Sequence, residues 1–170
     1  EIFKGNNWEV ILGGNIGDPL VDQVIARTDA DVVVAEISSF QMEWVEEFRP
    51  KVSLILNITP DHIDRHGSFA NYAAAKARIF ARQGPEDFVV LNADDPETMR
   101  FAAQPRAKVI LFSRKQQLTE GVFVKDGEMV ANWQGKQINI CSTAEIGIRG
   151  PHNLENAMAA TAAALAMGVR

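Results

Sequence analysis

Four polar clusters carry the residue types that do chemistry. They are Gly13-Gly14-Asn15-Ile16-Gly17-Asp18, Glu36-Ile37-Ser38-Ser39-Phe40-Gln41, Asn57-Ile58-Thr59-Pro60-Asp61-His62-Ile63-Asp64-Arg65-His66, and Asn92-Ala93-Asp94-Asp95. The glycines of the first allow backbone to approach a ligand closely, and a helix starting after Pro19 would turn its amides toward a phosphate. The same residues also suit a plain strand-to-helix turn. Glu36 closes the apolar run DVVVAE, where a carboxylate must be paired, protonated or bound to a metal. His62 follows another apolar run and can meet Glu36 at one edge of a sheet. A hard cation such as Mg²⁺ favours oxygen ligands and keeps waters and phosphate oxygens, so histidine is a less usual partner for it. The alternative is an Asp61 that caps and a His62 that is merely hydrogen-bonded.

Lys76 is the unusual residue. Phe69, Tyr72, Lys76, Ile79 and Phe80 recur at three- and four-residue steps, so the lysine falls inside the apolar stripe of a helix. Such a lysine snorkels, pairs with an acid, or has a chemical role. A desolvated amine loses its proton more readily and can add CO₂, which replaces a cation with an anionic oxygen ligand.

The elements that must position these groups alternate along the chain. Strands are expected at Trp8–Leu12, Asp31–Glu36, Val52–Ile58, Phe88–Leu91 and Lys108–Phe112, with near-continuous Val/Ile/Leu character that suits burial on both faces of a parallel sheet. Helices are expected at Leu20–Arg27, Phe40–Phe48, Phe69–Arg82 and Pro96–Ala103. The alternation implies a doubly wound α/β sheet, mostly parallel, with flanking helices and ligands beyond the carboxyl ends of its strands. After Ser113 the texture changes. Asp126-Gly127 separates two apolar runs and Gln134-Gly135-Lys136 turns the chain again, which predicts a small antiparallel β-meander over about 121–141. An alanine-rich helix is expected over Asn153–Met167, with Asn153 as its cap. Glu1–Gly5 resembles the end of a helix closed by glycine.

Composition bounds the function. The chain has 170 residues, 46% of them hydrophobic, enough for one domain with a sizeable core. The net charge of −5 without a basic cluster argues against nucleic acid as a partner. The single cysteine, Cys141, excludes an internal disulfide and suits a reducing compartment. No apolar run is long enough to span a bilayer, so no membrane partner is expected.

In order along the chain, GGNIGDPL, EISSFQME, NITPDHIDRH, YAAAKARI, NADD and GPHNLENAMAA resemble the central, ATP-handling domain of the Mur ligases of peptidoglycan synthesis. The resemblance covers nearly all of the chain, 1–170. The pairing of GGNIG with SSFQ points to the branch that adds D-glutamate to UDP-N-acetylmuramoyl-L-alanine; other Mur ligases and the folylpolyglutamate synthases differ at these two motifs. The resemblance implies a cytoplasmic enzyme that uses ATP and Mg²⁺. It implies that Asn15, Ser38, Gln41 and His62 contact the UDP-linked substrate. It implies that Glu36, His62 and a carbamylated Lys76 serve the metal, that Lys76 and His62 act in catalysis, and that Asn153 and Asn156 face adenine. The family's phosphate loop, GTNGK-[ST], is not among these residues. The expectation is therefore a central domain truncated before that loop, without the N-terminal UDP-binding and C-terminal domains, inactive alone and dependent on those domains as partners.

Overall fold

The computed structural model describes residues 1–27 and 29–169. The elements are α1 (Ile2–Gly5), β1 (Val10–Gly14), α2 (Leu20–Ala26), β2 (Val32–Glu36), α3 (Ser39–Glu43), β3 (Val52–Ile55), α4 (Ile63–His66), α5 (Phe69–Ala77), β4 (Phe88–Asn92), α6 (Pro96–Met99), β5 (Lys108–Ser113), β6 (Gly121–Lys125), β7 (Glu128–Trp133), β8 (Lys136–Ser142) and α7 (Pro151–Ala166). The expected α/β alternation and the meander are both present. The strands, however, form two sheets. β1 and β2 pair in parallel by themselves, and β3-β4-β5-β6-β7-β8 form a mixed six-stranded sheet.

In the larger sheet β3, β4, β5 and β6 run parallel, and β6, β7 and β8 run antiparallel. The meander is therefore continuous with the main sheet rather than a separate layer. Its hairpins close through two-residue turns in which Asp126 and Gly127, then Gln134 and Gly135, take left-handed backbone angles (φ of 52°, 82°, 51° and 75°). Left-handed angles at both central residues match the twist of the flanking strands.

Residue alternation on β4 divides the core. Val90 faces one side with Ile110, Phe112, Val122 and Met129, and meets Met158, Ala159 and Ala162 of α7. The small side chains of α7 let its backbone approach the sheet closely. Val89 and Leu91 face the other side with Ile55, against Tyr72, Phe80 and Phe101. Neither cluster contains a residue of β1, α2 or β2. The expectation that DVVVAE is buried on both faces is thus corrected: Val33 is 49% exposed and Leu12 on β1 is 61% exposed. β2 has a strand partner on one side only, and a continuous apolar run cannot report how many neighbours a strand has.

Several boundaries also move: the strand expected over Val52–Ile58 ends at Ile55, the helix over Phe69–Arg82 at Ala77 and that over Pro96–Ala103 at Met99. Gly13 and Gly14, expected in a turn, are the last residues of β1 and pair with Ala35 and Glu36. The helix expected over Phe40–Phe48 stops at Glu43, and the chain beyond it is held by Arg78 and Arg82, which donate to the Val45 and Glu46 carbonyls (2.7 and 3.0 Å). Asn153 does not cap α7; Gly150 does so with Pro151 in the first turn, while the Asn153 amide donates to the Arg149 carbonyl at 2.8 Å.

The loop joining α5 to β4 is braced by a buried carboxylate. Asp87 accepts from the Gly84 amide (2.8 Å) and from Arg49 Nε (2.7 Å). These two contacts hold its carboxyl below the usual carboxylate range, the Gly84 amide foremost. A depressed pKa stabilises the fold above the unfolded value, about 3.9, and that contribution disappears as pH falls through the lower folded value. Asp87→Ala is therefore expected to cost about 2 kcal/mol at neutral pH. The gap between wild-type and variant urea midpoints should narrow below about pH 4. A gap that stays constant down to about pH 2 would remove the charge from this account.

Candidate active site

The carboxyl ends of β1 and β2 meet the loop after β3 and one face of α5. They enclose a cavity of about 200 Å³ lined by Asn15, Glu36, Ser38, Ser39, His62 and Lys76, with Ile37, Phe40, Asp61 and Tyr72 completing its wall. Five of the eight sequence-predicted site residues are thus brought together from segments far apart in the chain.

Local structure explains each placement. Gly14 has φ of 128°, and a Cβ there would lie 2.2 Å from the Glu36 carbonyl oxygen, so only glycine lets β1 end beside β2. That same carbonyl accepts from the Asn15 amide at 2.8 Å, which puts Asn15 beside the last residue of β2. Glu36 is exposed at the cavity, so the sequence argument that burial must force a partner on it does not apply. Ser38 caps α3 in a capping box, accepting from the Gln41 amide while Gln41 Oε1 accepts from the Ser38 amide at 2.9 Å. Gln41 is accordingly folded back on its own helix and is not among the cavity residues.

His62 precedes α4 with a left-handed backbone (φ 51°) and lies 4.9 Å from the Phe40 ring. Its Nε2 is 3.4 Å from Asp61, whose other carboxylate oxygen accepts the His62 amide. Asp95 holds the loop leading to His62 by accepting from the Ile58 amide at 3.1 Å. Lys76 is half-buried, with Nζ 5.1 Å from the centre of the Tyr72 ring. The stripe predicted from spacing is real: Phe69, Tyr72, Ile79 and Phe80 pack in one core cluster, and Lys76 in their midst lines the cavity together with Tyr72. Among the described residues, no carboxylate forms a salt bridge with it.

The NADD segment is structural. The Asn92 amide donates to the Leu56 carbonyl, and Asp95 caps α6. Asp94 accepts from the Ser113 hydroxyl (2.6 Å) and the Arg114 amide (2.7 Å). Asn153 and Asn156 lie on the first turns of α7, outside the cavity lining. Cys141 is no nucleophile candidate: burial, with Glu145 and Glu128 nearby, pushes its thiol pKa up and disfavours the thiolate.

Sequence reasoning missed one group. His66 is buried, its Nε2 3.1 Å from the Ser39 hydroxyl and its Nδ1 3.3 Å from Glu43. Ser39 and His66 are separated by 27 residues, so no local spacing links them.

As for metal chemistry, no group of three His, Cys, Asp or Glu side chains converges among the described residues. Glu36 and His62 nevertheless share the cavity. Of the two, the Glu36 carboxylate is the donor that suits Mg²⁺, which is held through one or two carboxylates and keeps waters and phosphate oxygens, while the His62 imidazole is the less usual ligand.

The Mur ligase middle-domain model matches residues 12–164. The chain belongs to this family. Among curated relatives, the UDP-N-acetylmuramoylalanine–D-glutamate ligase of Pelotomaculum thermopropionicum is 54% identical over 99% of the chain, and that of Geotalea daltonii is 46% identical over the same share. The chain spans 37% of the length of each. Among solved structures, a UDP-N-acetylmuramoyl-L-alanyl-D-glutamate–2,6-diaminopimelate ligase matches 98% of this Mur ligase domain with a TM-score of 0.74 at 20% identity, over 39% of its own length. A MurF ligase from Thermotoga maritima in complex with ADP matches 99% with a TM-score of 0.57 at 14% identity, over 48% of its own length. These likenesses show that the fold is that of a Mur ligase domain. No helix among the described residues is long and apolar enough to cross a membrane.

Proposed function

We propose that this chain is the central part of an ATP-dependent ligase that joins D-glutamate to UDP-N-acetylmuramoyl-L-alanine. The observation that carries the reading is one cavity that gathers Asn15, Glu36, Ser38, His62 and Lys76 from the ends of β1 and β2, the loop after β3 and α5. The names of the 54% and 46% identical relatives support the same reaction.

In that reaction the terminal phosphoryl group of ATP passes to the substrate carboxylate and ADP leaves. The D-glutamate amine then attacks the acyl carbon, phosphate departs, and the amine loses a proton as the amide forms. Such chemistry depends on positioning and on neutralising phosphate charge. Asn15 and Ser38 hold the UDP-linked substrate at the cavity mouth. His62 serves both that substrate and the metal. Glu36, His62 and Lys76 hold Mg²⁺, which when bound neutralises phosphate oxygens. Lys76 contributes as a carbamate: its neutral amine adds CO₂ and releases a proton, presenting two oxygens in place of a cation. Asn153 and Asn156, one turn apart on α7, face the adenine of ATP. Gln41 acts indirectly, by fixing Ser38 through the capping box. The 170 residues contain no Gly-Lys-Ser/Thr loop, so the grip on the ATP phosphates comes from residues outside them. The nucleotide substrates and the single cysteine suit the cytoplasm.

Phosphate release with ATP, UDP-N-acetylmuramoyl-L-alanine and D-glutamate tests the proposal. A protein carrying this chain with flanking domains like those of its relatives should release phosphate only when all three are present. The chain alone should release none. A protein with those domains that leaves the UDP-linked substrate unchanged overturns the ligase reading, and turnover by the chain alone overturns the claim that the phosphate grip lies elsewhere.

A further inference from the structure

The chain Glu43–His66–Ser39 stands behind the cavity wall. Glu43, on the last turn of α3, approaches His66 Nδ1 at 3.3 Å and also accepts from Arg65 at 3.1 Å. The His66 ring is buried, stacked on Phe40 with an 8° angle between planes, and tilted against Tyr72. Its Nε2 meets the hydroxyl of Ser39, which is itself buried and lines the cavity. Three contacts therefore tie α3 to α4: Glu43 with Arg65, Glu43 with His66, and Ser39 with His66.

We infer that His66 is a positioning residue of this cavity: bridging Glu43 to the Ser39 hydroxyl, it locks the α3 wall to the turn that carries His62 and leaves Ser39 facing the cavity as a hydrogen-bond acceptor. A carboxylate can only accept, so Glu43 calls for the ring proton on Nδ1. In the neutral ring Nε2 is then the acceptor for the Ser39 O–H. With its one proton committed, Ser39 offers the cavity only lone pairs. It suits a ligand group that donates, such as an amide N–H, a hydroxyl or a metal-bound water, and not a bare phosphate oxygen. A hydrogen-bonded chain whose two ends lie on α3 and whose middle lies on α4 holds the two helices at two points, which a single contact does less well.

The identity of the ligand rests on the ligase reading; the geometry does not. Two measurements keep the two apart. In a protein with the flanking domains, Ser39→Ala and His66→Phe should each raise KM for the UDP-linked substrate about tenfold while kcat changes less than about twofold. The double variant should be no worse than either single one, because each breaks the same chain. Phenylalanine keeps the stack on Phe40, and Ser39→Ala carries the test if that variant folds poorly. An unchanged KM in Ser39→Ala, or effects that multiply in the double variant, overturns the inference while normal turnover leaves the ligase reading intact.

The second measurement needs no activity. With three histidines in the chain, ring ¹⁵N spectra assign each one. His66 should show a single tautomer with the proton on Nδ1, and Ser39→Ala should shift its Nε2 resonance. A His66 ring protonated on Nε2, or one averaging between tautomers, overturns the inference even where turnover is absent.

Discussion

Lys76→Ala, in a protein that joins this chain to flanking domains like those of its relatives, is expected to lower D-glutamate-dependent phosphate release by at least about 100-fold. Among the described residues Lys76 is the only lysine lining the cavity, and it reaches it from α5, with Nζ 5.1 Å from the centre of the Tyr72 ring one turn earlier. If the residue acts as a carbamate, alanine removes the anionic oxygens that would help to hold the metal. The loss then falls mainly on kcat, because charge on the transferring phosphoryl group changes most in the transition state. Short-chain acids added to the variant should restore part of the rate by placing a free carboxylate where the carbamate stood. Density beyond Nζ in crystals grown with bicarbonate would report the modification directly. Wild-type rates in Lys76→Ala would end the proposed role, and a loss that acids never rescue would favour a plain ammonium over a carbamate.

Gln83→Leu is expected to destabilise the isolated chain by about 3 kcal/mol. Gln83 is 2% exposed and its amide joins three backbone and side-chain groups: it accepts from the Ser53 hydroxyl (2.9 Å) and donates to the Pro50 and Phe88 carbonyls (both 2.9 Å). These contacts pin the start of β3 to the start of β4. Leucine has nearly the same volume, so the variant leaves no large cavity but leaves a buried hydroxyl and two carbonyls short of partners. For a chain of this size the melting temperature should fall by about 6–12 °C. Ser53→Ala, which removes one of the three bonds, should cost about 1 kcal/mol. Equal, small losses in both variants would mean that water replaces the glutamine.

Much of this architecture was legible from local pattern. The parallel strands of the larger sheet announce themselves as short Val/Ile/Leu runs, and the meander through Asp126-Gly127 and Gln134-Gly135. Lys76 was visible as a misfit in a three-and-four spacing. What local pattern did not carry was anything decided by distant partners. β2 reads as a doubly covered strand because its residues are apolar, yet its exposure depends on which elements lie beside it. The non-helical segment after α3 is held by arginines more than thirty residues away. Gln41 was legible as a motif residue, but the fold of its Oε1 back onto the Ser38 amide three residues before it was not. Asn153 fits a cap by type, and lost that place to Gly150, whose φ of 105° suits glycine. The Ser39–His66 link needed the folded chain to be seen at all.

The separate β1–β2 pair gives the cavity walls of unequal strength. Asn15, Glu36 and Ser38 sit on or directly after strands that contribute nothing to either core cluster, whereas Tyr72 and its neighbours are anchored in one of them. Elements with few buried apolar contacts open at lower free energy than the rest of a protein. One wall of the cavity can therefore open without the other, and a ligand that bridges both can bind only while the weaker one is closed. By mass action such a ligand adds its binding energy to the closing of β1 and β2. Occupancy would then be written in the slowed amide exchange of two strands, including residues the ligand never touches.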